Sequence, residues 1–515
     1  MTTPDDRQPP PRFNAARYCL AENARTRGGK TALVMVGDGG HVSRLTYAEA
    51  DRAVRGIAAG LLGLGLKRGE RVMIRMGNEA DYVLVYFGAL AAGLIALPSS
   101  PQLTPQEASF LVENAGVSAI VMGEGLSEAA APDRPGCLRI GLQDIAAMKA
   151  GAPLADYADT AADDPATLVY TSGTTSRPKG VLHAHRAIWG RRPMHAHWLG
   201  LTESDVMLHA GTMNWTYTLG VGITDPWACG ATTVLYNGPR DRGIWPRLIA
   251  EQGATLFAAV PSVYRQMLKY ADLGRHDLSC LRHGVTAGEA LSPELATAWH
   301  AATGKPLYEA LGMSEISTYV SSGPTIPVRP GSPGRPQPGR RVAILPPDGP
   351  PDPLPAGETG LLAIHRSDPG LMLGYWQRPD EEAAVLRGEW FTGGDLASLD
   401  ADGYVWFHGR NDDLMNAMGY RVSPVEVEGV LAGHPDIAEV GVAELAVRAD
   451  LSVIAAFVVP RPGAQPDAES LIAWCGERLA AYKTPRAIRF LDTLPRTANG
   501  KVQRKRLADA ADRMS

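Results

Sequence analysis

Tyr170-Thr-Ser-Gly-Thr-Thr-Ser-Arg-Pro-Lys179-Gly180 is the stretch on which the reading of this chain turns. Thr171, Ser172, Thr174 and Thr175 offer O–H donors, Gly173 lets backbone N–H groups come close to an anion, and Lys179 supplies a point charge. The short apolar run Thr167 to Tyr170 just before it reads as a strand. A glycine-rich loop leaving a strand is where α/β sheets hold phosphates, so the stretch predicts a polyphosphate cradle in an α/β protein. The Walker pattern fits poorly, because Pro178 stands where its second glycine belongs and Gly180 where a Mg²⁺-binding hydroxyl is required. Taken alone, a surface loop of small residues is the other reading.

Working outward, 515 residues exceed what one hydrophobic core supports, so two or more domains are expected. With 45% hydrophobic and 20% charged residues the composition is that of an ordinary soluble globular protein. A net charge of -5 argues against a nucleic-acid-coating surface. Residues 1–12 carry no apolar segment, so they read as a disordered lead-in rather than a signal peptide or anchor, and the cytoplasm is the expected location. The longest apolar run, Val83 to Leu97, is shorter than the roughly 20 residues a membrane span needs. It is expected to be a buried helix that passes into a strand at Gly93, and no membrane span is expected. Cys19, Cys137, Cys229, Cys280 and Cys475 are scattered, as reduced core thiols would be. The pairs His183/His185 and His195/His197 have no third metal ligand in view.

Apolar residues recur at helical spacing from Thr46 to Gly65, and Arg71 to Met76 reads as a strand. Short apolar runs at Ser118–Met122, Thr232–Tyr236 and Thr255–Val260 are separated by lengths that suit crossover helices, the pattern of stacked, largely parallel α/β layers. Between Gly323 and Pro355 recurring prolines exclude regular helix, while Val342–Leu345 and Leu361–Ile364 read as strands of a β-rich subdomain over roughly 323 to 408. After Gly409-Arg410-Asn411-Asp412-Asp413 a compact α+β unit is expected, with helices over Pro424–Leu431 and Ala468–Ala481 and strands over Ile437–Val442, Ser452–Val459 and near Ile488. The expected domains are 1–411 and 412–515, the second small and mobile, with a hinge at Asp412.

The opening stretch resembles the signature T-S-G-[ST]-T-G-x-P-K-G of the adenylate-forming superfamily, departing from it only at Ser176. That superfamily holds acyl-CoA synthetases, luciferases and the adenylation domains of peptide synthetases. Its other motifs follow in order over nearly the whole chain. Leu311-Gly312-Met313-Ser314-Glu315 resembles Y-G-x-T-E, which implies Ser314 on the α-phosphate and Glu315 on Mg²⁺; without the resemblance, Ser-Glu would be a helix-start capping pair. Gly288 and Glu289 in Thr286-Ala-Gly-Glu-Ala290 resemble the segment lining the adenine. Trp390-Phe-Thr-Gly-Gly-Asp395 resembles W-F-x-T-G-D, which implies Asp395 on the ribose hydroxyls, with Arg410 beside it. Pro495-Arg-Thr-Ala-Asn-Gly-Lys501 matches a motif whose lysine reaches into the adenylation site. Ala417-Met-Gly419-Tyr-Arg421 resembles the segment that meets coenzyme A, with Gly419 beside the thiol arm and Arg421 on phosphate.

The resemblance implies an AMP-forming acid–thiol ligase using ATP, Mg²⁺ and coenzyme A. Its chemistry is intelligible, since a carboxylate repels nucleophiles and hydroxide leaves badly, whereas an acyl-adenylate carries a good leaving group. Lys501, Glu315 and Lys179 are then the expected catalytic groups. The implied acyl pocket lies between the segment after His209 and Gly312, with His209, Trp215, Tyr217 and Gly312 at its walls; Gly312 stands where acetyl-specific relatives carry a tryptophan. The segment looks most like that of benzoate-CoA ligases, and an aromatic acid is the expected substrate. A short- or medium-chain fatty acyl-CoA synthetase is the alternative, followed by an acyl-AMP ligase with a non-CoA acceptor, a luciferase-like oxygenase or a silent nucleotide-binding homologue.

Overall fold

The computed structural model describes residues 8–126, 134–171, 178–239, 241–411, 415–417, 420–448, 451–479, 483–496 and 502–512, without the side chains of 416, 417, 420, 421, 446–448, 451, 452, 505 and 510–512. By packing, the chain divides into two compact units, Met1–Val342 with Ile364–Phe391 and Ala343–Ala363 with Thr392–Ser515. The first division falls inside the proline-rich stretch, because long-range strand pairing, which leaves no mark on composition, decides what packs together. Asp412 lies outside the described residues.

Two sheets form the first unit. One runs Gly374–Tyr375, Lys179–Ala184, Pro165–Thr171, Ile95–Ser99, Arg71–Arg75, Ala119–Met122, Leu138–Ile140. It is parallel from Pro165–Thr171 onward and antiparallel at its first two pairings. The other has nine strands, with a parallel centre of Thr31–Val36, Thr232–Tyr236, Val206–His209, Leu256–Ala258, His283–Ala287 and Leu307–Met313, flanked by antiparallel Val42–Thr46 on one side and Ser317–Ser321 and Arg335–Pro336 on the other. The expected layered α/β architecture is therefore present.

Local chemistry explains where several elements start and stop. Helix Tyr47–Gly63 opens on a reciprocal cap, with Thr46 Oγ1 accepting from the Glu49 N–H and the Glu49 carboxylate accepting from the Thr46 N–H. Helix Ala80–Ala91 is buried from Tyr82 onward, so its apolar residues run all the way round. Gly93, at φ 72°, turns the chain out of that helix and into strand Ile95–Ser99. No described helix is long and apolar enough to cross a membrane.

In the second unit, strands Ile437–Arg448, Leu451–Pro460 and Ala487–Phe490 form a sheet. Helices Pro424–Ala432 and Ala468–Gly476 supply Val427, Leu431, Leu471 and Cys475 to its core. The second of these helices stops well short of Ala481: glycine costs about 1 kcal/mol relative to alanine inside a helix, and Gly476 marks the end. Trp390–Leu399 and Val405–Arg410 pair antiparallel, with Asp395 opposite Arg410.

Candidate active site

Strands Pro165–Thr171 and Lys179–Ala184 pair antiparallel with Thr171 opposite Lys179, so residues 172–178 join the arms of a hairpin. Ser172, Gly173, Thr174 and Thr175 lie outside the described residues, whereas Thr171 and Lys179 frame them from either arm. Lys179 Nζ lies 2.6 Å from Glu381 Oε2 and 5.1 Å from the centroid of the Tyr375 ring. The hydrogen bond from Lys179 holds the Glu381 carboxyl below the usual range, and burial opposes it only in part.

Ser314 and Glu315 form the turn between antiparallel strands Leu307–Met313 and Ser317–Ser321, so the helix-start reading of this pair does not hold. Two long-range bonds pin the turn, one from strand Lys179–Ala184 and one from strand Gly374–Tyr375 beside it. His183 Nε2 donates to the Ser314 carbonyl at 2.8 Å, and the Tyr375 hydroxyl donates to Glu315 Oε1 at 2.7 Å. Burial pushes the His183 pKa down to about 4, so the ring is neutral and its N–H is kept for Ser314. Tyr375 thus touches both Lys179 and Glu315, and sequence reasoning missed it. Only the aromatic pair Tyr375-Trp376 after a glycine could have signalled it.

Gly288, at φ 92°, follows strand His283–Ala287, and the ring of Trp215 packs against it: a Cβ there would lie 3.1 Å from Trp215 Cη2. Glu289 follows, and the Leu291 N–H donates to Glu309 Oε1 at 2.9 Å, which anchors the end of this loop. Burial pushes Glu309 up to about 7. In the second unit, Arg410 Nη1 donates to the Gly393 carbonyl at 2.7 Å and lies 3.2 Å from Asp395 Oδ1. This pairing brings together the two residues expected at a ribose. Asp412, Gly419 and Lys501 are outside the described residues, as is the side chain of Arg421.

The segment after His209 splits by face. His209 and Tyr217 are buried, their rings 4.6 Å apart, with Trp215 5.4 Å from Tyr217. The Tyr217 hydroxyl donates to the Val285 carbonyl at 3.2 Å, and burial pushes the His209 pKa down to about 3. The intervening Thr216 and the following Leu219 and Gly220 line a cavity whose other walls include Ser314, Ile316 and Ser317. Gly312 sits at a register slip between the two strands of the Glu315 hairpin.

The histidine pairs diverge. His183 serves Ser314, and His185 Nδ1 accepts from the Ala15 N–H at 3.2 Å. His195 meets Asp225, and His197 meets Thr325. Among the described residues no three His, Cys, Asp or Glu side chains gather as a metal site. A single carboxylate such as that of Glu315 is compatible with Mg²⁺, which takes one or two carboxylates and completes its shell with water and substrate phosphates.

Two hairpins from different sheets thus bring Lys179 and Glu315 onto the one side chain of Tyr375, and Ser314 of the same turn lines the cavity. The model of the AMP-binding enzyme family matches residues 20–376, and that of the AMP-binding enzyme C-terminal domain matches residues 426–501. The chain belongs to that family, as an AMP-forming acyl- or aryl-CoA ligase of the adenylate-forming superfamily. It is 31% identical over 500 residues to an uncharacterized acyl-CoA ligase, YtcI, of Bacillus subtilis (strain 168), with 94% of each chain covered. It is 32% identical over 525 residues to benzoate-CoA ligase of Thauera aromatica, with 99% of this chain and 98% of the relative covered. The crystal structure of the anthranilate CoA ligase AuaEII in complex with anthranoyl-AMP is similar over 99% of each chain, at 30% identity and a TM-score of 0.88.

Proposed function

We propose that this ligase activates an aromatic acid such as a benzoate in the cytoplasm, joining acid, ATP and coenzyme A into acyl-CoA, AMP and pyrophosphate by way of an acyl-adenylate. The observation that carries the reading is the cavity between Thr216–Gly220 and Ser314–Ser317, which opens beside the Ser314-Glu315 turn and the Lys179 hairpin. An acid seated there would hold its carboxylate next to the groups assigned to the α-phosphate. Similarity to a benzoate-CoA ligase and to an anthranilate CoA ligase supports an aryl substrate. Aliphatic lining side chains such as Leu90, Val169, Ile188 and Leu219 favour a short- or medium-chain aliphatic acid as the second reading.

In this reading Thr171, residues 172–175 and Lys179 hold the β- and γ-phosphates, Ser314 the α-phosphate, Gly288 and Glu289 the adenine, and Asp395 and Arg410 the ribose. Glu315 would hold Mg²⁺, which neutralises charge on the departing pyrophosphate. Lys501 balances charge between carboxylate and α-phosphate, Arg421 meets nucleotide phosphate and Gly419 meets coenzyme A; Asp412 is the hinge between conformations that serve the two half-reactions.

The test is pyrophosphate release with MgATP against benzoates and C2 to C10 acids, each with and without coenzyme A. Release on a benzoate with thioester formed supports the aryl reading, aliphatic activity moves the substrate, and adenylate without thioester moves the acceptor. Lys501→Ala should lose adenylate formation yet make thioester from supplied acyl-adenylate; equal loss in both assays would remove Lys501 from the first step.

A further inference from the structure

The acyl cavity has one wall that an unsubstituted hydrocarbon would not need. Arg191, which ends the short turn Trp189–Arg191, is 8% exposed and lines the cavity together with Gly220 and Ser317. Its Nε and Nη2 each donate to a carboxylate oxygen of Asp225 at 2.7 Å, and its Nη1 donates to Ser317 Oγ. A guanidinium carries five N–H donors. These bonds use three, leaving one on Nη1 and one on Nη2 without a partner among the described residues.

The chain makes room for this group. Gly220 lies in the π-helical segment Thr218–Thr224, and a Cβ there would stand 2.1 Å from Arg191 Nη2 and 2.5 Å from Cζ. Such π-helical turns are rare and gather at functional sites. Ser317, whose hydroxyl meets Arg191, holds φ at 76°, one of two non-glycine residues with positive φ among those described. Strain of this kind persists only where its surroundings enforce it.

The carboxylate that holds Arg191 is shared. The buried Asp225 also accepts from His195 Nε2 at 3.0 Å, and His195 Nδ1 faces Cys229 Sγ at 3.3 Å. Burial opposes protonation of His195, but the bonds to Asp225 and Cys229 outweigh it and hold the pKa up to about 9. Burial likewise pushes Asp225 up, and Arg191 with His195 more than reverses it, so the carboxyl lies below its usual range. Arg191 and His195 therefore share one buried carboxylate behind a wall that also carries the aliphatic Leu90, Ile188 and Leu219. A bare hydrocarbon against that wall would leave guanidinium N–H groups desolvated and unbonded, which is unfavourable.

We propose that Arg191 is a specificity residue of the ligase, donating to an oxygen acceptor carried by the acid at the end remote from the carboxyl that is adenylated. The proposal rests on the ligase reading above and narrows its substrate to acids bearing a distal hydroxyl, ketone or carboxylate.

The experiment compares kcat/KM for pyrophosphate release by the full-length enzyme on matched pairs: benzoate against 3-hydroxy-, 4-hydroxy- and 4-carboxybenzoate, and butanoate against 4-hydroxybutanoate and succinate. The hydroxyl and carboxylate arms identify the acceptor. Wild-type enzyme should favour an oxygen-bearing acid over its parent by at least about tenfold, as expected where a buried donor loses its acceptor. Arg191→Met combined with Asp225→Leu removes both charges together and should bring the ratio to about one, while Arg191→Lys, which keeps charge without the fork, should lower it. An unchanged ratio in Arg191→Lys, or a wild-type preference for the parent acids, overturns the proposal even if the double variant does not fold. Absence of pyrophosphate release on every acid would instead strike at the ligase reading. Isothermal titration of the same pairs onto wild type and Arg191→Lys then decides the role of Arg191, equal affinities within each pair overturning it.

Discussion

At the scale of single residues, Tyr375 does most to assemble the site. Its ring lies under the Lys179 ammonium and its hydroxyl donates to Glu315, so one side chain ties the phosphate hairpin to the carboxylate assigned to Mg²⁺. Tyr375→Phe keeps the ring and removes the hydroxyl. A hydrogen bond to a charged group is worth about 1.5–3 kcal/mol, so kcat/KM for pyrophosphate release should fall by about tenfold or more. A titration with MgCl₂ should show half-maximal activity at higher metal concentration in the variant, because Glu315 is then held in place by one bond fewer. An unaltered metal dependence would leave Tyr375 a packing residue only. Sequence reasoning passed over it because Tyr375 stands 60 positions from Glu315, and no local spacing joins them. The same holds for His183, whose value lies in a bond to a carbonyl 131 positions away.

At the scale of elements, the hairpin around Ser314-Glu315 depends on a glycine for a reason its motif does not disclose. A Cβ at Gly312 would lie 2.3 Å from the Ser317 carbonyl oxygen and 2.5 Å from Thr318 Cα, both backbone atoms of the paired strand. The absence of a tryptophan here was legible in the sequence, but the adjoining strand is what leaves no room for any side chain. Gly312→Ala should shift the strands apart, cost roughly 1–3 kcal/mol or more as overpacking does, and displace Ser314 and Glu315. Urea unfolding should show a lowered midpoint together with lost adenylation. Gly429→Ala is the control: no atom lies within 4 Å of a Cβ there, it lies inside helix Pro424–Ala432, and alanine should stabilise that helix by up to about 1 kcal/mol. Elements with strong local signals, such as the helix capped by Thr46 and Glu49, were readable because the cap spans four residues. The faces of the His209–Gly220 segment were not. Which residues of an aromatic stretch pack inward and which line a cavity depends on what lies opposite.

At the scale of the whole molecule, buried histidines set how stability follows pH. Burial lowers the pKa of His183, His185 and His283 to about 4 and that of His209 to about 3, against 6.5 in the unfolded chain. Below about pH 6.5 the unfolded chain therefore takes up protons that the folded chain does not, and stability falls as pH drops towards 4. Glu309, pushed up to about 7, acts the other way over part of this window but is outnumbered. His195 has the opposite sign from the other histidines: held up to about 9, it contributes stability that is complete below about pH 6.5 and is lost as pH rises through 9. The urea midpoint of the first unit should thus peak near pH 6.5 and decline on both sides. His195→Gln should flatten the alkaline decline and leave the acid one; an alkaline limb that survives unchanged would assign it to other groups.

The amino-acid sequence by itself determined the chemistry on offer and the local elements: hydroxyls, glycine and lysine around residue 170, the Ser314-Glu315 pair, the Asp395 motif, and helices and strands with caps or glycines at their ends. These are legible because hydrogen-bonding capacity, backbone freedom and side-chain periodicity act within a few residues. Tertiary structure alone decided which of these groups meet, with Tyr375 between Lys179 and Glu315, Arg191 at the cavity wall, and the proline-rich stretch divided between two units. Those outcomes follow from burial and strand pairing between segments far apart in the chain, where the energy of a contact belongs to both partners and neither carries it in its own sequence.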